Sequence, residues 1–227
     1  MKINSPKDPF DMICWHGEGI TDARQAFAAI FSLYMIKDLR VEIRGIVTCA
    51  QADKLYQRCP PCDVLLNMKV VRSAIKAAYV LRDENIVQKM DALNTTHYYS
   101  YYQTSNLWSS FPRCLSEKEF CNPYSVFKKF FKKQSLDKWV HKWEEVVEYA
   151  LSLHSSGTEL DTLHFYTLMI KLLEAAHLIY MWEVMANVNS SIASGYSGKI
   201  TGYKGTKAQS PDLQISFLCA SCVCGIS

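Results

Sequence analysis

At 227 residues, 49% apolar and 21% charged, the chain has enough apolar side chains to fill a core, which sets aside wholesale disorder. A net charge of +3 does not by itself announce a polyanionic partner, because an electrostatic footprint depends on clustering rather than on totals. Nine cysteines, an odd count without a secretory apolar core near Met1–Pro9, point to reduced thiols and a cytoplasmic setting. The apolar stretch Leu160–Val188 is broken by Asp161, Lys171, Glu174 and Glu183, and the uncharged Leu213–Ser227 is short. A membrane-spanning helix needs roughly 20 consecutive apolar residues, so none is expected.

Taken in chain order, Thr21 reads as a cap for a helix near 22–38, with Ala23, Ala26, Phe27, Ile30, Phe31 and Tyr34 at helical spacing. Val41–Val47 alternates apolar and polar residues, which predicts a minor β element near 41–47. A short helix over Ala50–Arg58 is stopped by Cys59-Pro60-Pro61-Cys62. Asp63 then caps a long helix near 64–93, with Leu65, Met68, Val71, Ile75 and Tyr79 on one side. His97–Tyr102 is an aromatic connector.

Asn122-Pro123 opens a helix near 123–134, a capping side chain followed by proline at the first helical position. Ser135 caps the next, near 136–154, whose stripe is Leu136, Trp139, Val140, Trp143, Val146, Val147 and Ala150. A turn at Ser155–Gly157 and a capping box at Thr158 and Asp161 lead into a helix near 159–188. That helix is apolar nearly all round, as a central helix is. The expected fold is an all-α multi-helix bundle of about six helices, the last two packed antiparallel across their short turn. Residues 1–188 form the helical domain; 189–227 read as a Gly/Ser-rich linker and an apolar, Cys-rich C-terminal tail.

Four groupings carry chemistry. Lys128, Lys129, Lys132 and Lys133 repeat every four residues and so share a helix face, while Phe127, Phe130 and Phe131 fall on another. That face suits an acidic protein partner, or nucleic acid with Tyr98, Tyr99, Tyr101 and Tyr102 stacking on bases. Glu174 and His177 stand one turn apart, a spacing used by metal-binding helical bundles, but a second such pair is missing. Cys59 and Cys62 offer a low-pKa thiol at a helix N-terminus. With Cys219 and Cys222, or Cys224, they would number enough thiolates for zinc. Zinc or iron is therefore the cofactor to consider, though none is predicted.

Phosphate-loop, dinucleotide and nucleophile-elbow motifs are absent from the sequence: Ala193 and Ile200 occupy key positions around Ser197-Gly198-Lys199. The resulting expectation is a non-enzymatic binding or regulatory module that meets a protein partner through helix faces. Nucleic-acid binding through Lys128–Lys133 is the first alternative, and a metal-dependent helical-bundle enzyme is the second. The sequence does not assign an oligomeric state.

Overall fold

Apolar residues three and four apart, rather than alternating ones, set the described elements. The computed structural model describes residues 8–52, 54–84, 107–153 and 161–195, with the backbone alone described at 107 and 185–195. The helices are α1 (Ile13–His16), α2 (Ala23–Leu33), α3 (Ile36–Gln51), α4 (Pro61–Leu81), α5 (Glu117–Cys121), α6 (Tyr124–Lys133), α7 (Leu136–Ala150) and α8 (Thr162–Gly195), with a 3-10 turn at Leu107–Ser110. The fold is all-α, and no strand occurs among the described residues. Two compact units are present, Met1–Asn189 and Ser190–Ser227; of the second, the end of α8 is described.

The helix expected over 22–38 is instead two. Asp22 caps α2, its carboxylate accepting from the amides of Arg24 and Gln25 at 2.9 Å each. Ala23, Ala26, Phe27, Ile30 and Phe31 form the buried stripe of α2. Continued straight, that stripe would carry Lys37 and Asp38 toward the core. Tyr34 and Met35 adopt extended backbone, which re-aims the chain so that Ile36 and Leu39 are buried while Lys37 and Asp38 face solvent.

The β element expected near 41–47 is the interior of α3. Its buried positions are Ile36, Leu39, Arg40, Ile43, Ile46, Val47 and Ala50, a helical period that the short Val41–Gly45 alternation concealed. α3 then ends at Gln51, so the helix expected over Ala50–Arg58 is corrected as well. Residues 54–60 are a strap whose Tyr56 amide donates to the Ala150 carbonyl at 2.8 Å. The Tyr56 hydroxyl bonds Glu42, and its buried ring lies over Gly45, where a Cβ would meet Cε2 at 2.5 Å.

α4 begins at Pro61, which has no amide to leave unpaired at the first helical position. Asp63 therefore lies in the first turn rather than at the cap, where its charge still suits the helix dipole. The buried side of α4 is Val64, Val70, Val71, Ala74, Ile75, Ala77, Ala78 and Leu81. This is rotated from the expected stripe, and Leu65 is left exposed. α4 packs along α2, α6 and α7, and small residues such as Ala74, Ala77 and Ala78 permit that close approach. The helix ends at Leu81; residues 85–93 of the expected span lie outside those described.

Asn122 does not cap α6. Its amide donates to the Lys118 carbonyl at 3.2 Å, closing α5, and its own carbonyl accepts from Ser125. α8 starts later than expected, at Thr162, because Asp161 itself is the cap: its carboxylate accepts from the His164 amide at 3.0 Å. Thr158 and Ser155–Gly157 lie outside the described residues. From Phe165 to Ile179 α8 is buried on most sides, as a central helix is, and it runs on through 189–195, where a linker was expected.

An antiparallel pairing of α7 and α8 about a tight turn would set Trp139 close to Leu173. Trp139 instead meets Phe165, ring centroids 6.2 Å apart. α7 also lies along α3 and α4, and the Trp143 indole donates to the Met68 carbonyl at 3.1 Å.

Glycine to alanine inside a helix ordinarily gains about 1 kcal/mol. At Gly45 the sign is expected to reverse: Gly45→Ala should lower stability by about 1–3 kcal/mol in urea unfolding, because the pinned Tyr56 ring must move. A stabilised variant would show that the ring yields freely.

Candidate functional site

The lysine side of α6 is built by sequence spacing. Val126, Phe127 and Phe130 are buried, while Lys128, Lys129, Lys132 and Lys133 are exposed. Phe130 stacks on Trp139 with centroids 4.1 Å apart, which fixes the rotation of α6 and so the direction of its lysines.

The row does not stand wholly in water. Lys129 Nζ donates to Glu119 Oε1 at 2.9 Å, and Lys171 Nζ of α8 donates to Glu119 Oε2 at 2.8 Å. Glu119 belongs to a capping box at the start of α5, where the Ser116 amide donates to its carboxylate at 3.1 Å. Burial would raise the pKa of Glu119, but Lys171, Lys129 and Ser116 outweigh it and hold the carboxyl down at about 2. One turn further along α6, Lys133 Nζ lies 2.8 Å from His164 Nε2 of α8. Lys142 of α7 sits 5.5 Å above the ring of Phe165 beside it. Tyr98, Tyr99, Tyr101 and Tyr102, expected as stacking partners, lie outside the described residues.

Glu174 is committed elsewhere than to a metal. Fully buried, it accepts from Arg40 Nε at 2.8 Å and Nη2 at 2.7 Å, and from the amides of Arg113 at 2.9 Å and Cys114 at 2.8 Å. Arg40 also donates to the carbonyls of Ser109 at 2.8 Å and Phe111 at 2.7 Å. The pair thereby joins α3, α8 and the segment before α5.

His177, one turn on, is buried edge-on against Phe31 with centroids 5.0 Å apart, and no described group bonds its Nδ1. Burial, and then the nearby Arg40 charge, press its pKa down to about 3. Glu174 and His177 thus serve the interior, and no cluster of three or more His, Cys, Asp or Glu fit for a metal occurs among the described residues.

Cys59 is not the expected low-pKa thiol. Burial and the Glu42 carboxylate, 3.7 Å from its sulfur, push it up to about 11. It precedes α4 rather than lying within its first turn, so an acid neighbour outweighs the helix dipole. Cys62 is exposed, its sulfur 3.7 Å from Asp63. Cys219, Cys222 and Cys224 lie outside the described residues. No described helix is long and apolar enough to cross a membrane.

Sequence reasoning missed Arg40, Glu119, Lys171 and His164. Ser116-Glu117-Lys118-Glu119 does carry the capping-box pattern that would have found α5 and its acid. Comparison with protein-family models, characterised proteins and solved structures finds no match.

Because His177 is held neutral in the fold, it binds a proton more readily when unfolded. Its contribution to stability is therefore complete above about pH 6.5 and is lost as pH falls toward 3. His177→Phe should remove up to about 1.4 kcal/mol per pH unit of that decline, read from urea unfolding between about pH 7 and pH 5. Parallel pH profiles for the two proteins would refute the assignment.

Proposed function

We propose that this protein is a non-enzymatic helical binding module that captures a protein partner through the basic side of α6. The observation that carries the reading is the charge segregation of that helix. Phe127 and Phe130 anchor it in the core, while Lys128, Lys129, Lys132 and Lys133 are held outward on a rigid element. A surface of this kind recognises acidic groups at little ordering cost, since the helix that carries them is already fixed.

Two further observations favour a protein partner over the alternatives. Asp161, exposed and bonded to the His164 amide, places an acid beside the basic patch that would repel a long, evenly charged nucleic acid. Both Glu174 oxygens are occupied by Arg40 and backbone amides, which leaves the metal-enzyme reading without its carboxylate.

Charge reversal tests the proposal at Lys132 and Lys133, where Glu119 is not disturbed. The K132E/K133E protein should lose partners that the wild-type captures in a quantitative pull-down, and K132R/K133R should retain them. Its thermal stability should stay within about 0.5 kcal/mol of wild type, as befits exposed positions. An unchanged capture profile would contradict the proposal.

A further inference from the structure

Two rungs cross the seam between α6 and α8, and they differ in one respect. At the first, the Glu119 carboxylate is seated between two ammonium groups, Lys129 of α6 at 2.9 Å and Lys171 of α8 at 2.8 Å. The second lies one turn onward along α6 and two turns back along α8, so the helices run antiparallel here. It brings Lys133 Nζ directly to His164 Nε2 at 2.8 Å. Among the described residues, no carboxylate stands against either of these side chains. At the second rung the Lys133 ammonium donates to a neutral imidazole nitrogen, where at the first both ammonium groups donate to a carboxylate, the stronger acceptor.

Resting on the proposed function, we infer that Lys133 and His164 form a seat for a single carboxylate from an acidic peptide segment of the partner. A carboxylate entering the rung accepts from the Lys133 ammonium on one side. Entry breaks the Lys133–Nε2 hydrogen bond and parts the two side chains; the imidazole, in its Nε2–H tautomer or as imidazolium, then donates to the carboxylate from the other side. Both side chains are exposed, so entry requires no unfolding. Leu163, 75% exposed, precedes His164 and offers apolar contact to a residue flanking the carboxylate. Asp161 caps α8 at this same corner and disfavours a polyphosphate chain.

The test uses the full chain and a short fluorescein-labelled peptide of alternating glutamate and leucine, read by fluorescence anisotropy at low salt. The wild-type protein should bind it, and K133Q/H164Q should weaken binding about tenfold, the scale of one charge-assisted hydrogen bond. Lys138→Gln, an exposed charge elsewhere on α7, should change affinity less than about twofold if the seat is local. The inference fails if the peptide does not bind, if K133Q/H164Q binds as well as wild type, or if a labelled oligothymidylate of similar length binds more tightly with the same dependence on the two residues. Partner capture lost in K132E/K133E but intact in K133Q/H164Q would sink the seat alone. Capture intact in both would remove the basic-face reading with it.

Discussion

Glu174 lies in the middle of the central helix with no access to solvent, and the arrangement around it depends on how that charge is satisfied. Stripping a carboxylate and a guanidinium of water costs several kcal/mol per ion, and attraction between them offsets this only when the remaining hydrogen-bonding capacity is also met. Here it is met: Arg40 supplies two donors, and the amides of Arg113 and Cys114 supply two more. The guanidinium in turn reaches the carbonyls of Ser109 and Phe111. A stretch of chain with little regular structure is thereby bound, through its backbone, to α3 and α8. Apolar packing alone would leave those amides and carbonyls without partners.

The basic side of α6 follows from that attachment. The segment fixed by Glu174 leads within a few residues into Ser116 and the capping box of α5, which aims Glu119 at Lys171, three residues before Glu174 on the same helix. Lys129 then closes onto Glu119 from α6. Two polar ties, one turn apart on α8, hold the chain between them, and the aromatic stack of Phe130 on Trp139 holds α6 from beneath. The exposed lysines are thus presented by a braced helix rather than a loose one. Such bracing lowers the ordering cost of a contact made through those lysines.

The all-α class, the central place of α8 and the outward lysines of α6 were legible because each rests on a helical period sustained over several turns. Expectations resting on shorter cues fared worse. Val41–Gly45 alternates, yet Ile36, Leu39, Ile43, Ile46 and Val47 around it keep the helical repeat, and a wider window decides for the helix. Asn122-Pro123 does lead into a helix, α6 at Tyr124, but the Asn122 side chain is not its cap, and the Asn122 amide instead closes α5 on the Lys118 carbonyl. Arg40 and Glu174 were visible only as charges on otherwise apolar stripes. Their meeting joins positions far apart in sequence, and periodicity within one helix carries no information about that. Glu174 and His177 share a helix turn as the spacing implied, but the partners that decide their chemistry come from α2, α3 and the segment before α5.

The most direct measurement is a double-mutant cycle in urea unfolding with Arg40→Met, Glu174→Gln and the pair together. Removing either partner of a buried ion pair typically costs about 3–5 kcal/mol. The loss should be far from additive, with a coupling energy of at least about 2 kcal/mol, because each single change strands the other group. Additive single effects, or an Arg40→Met protein as stable as wild type, would mean that the buried pair does not hold the helices and the 109–114 segment together.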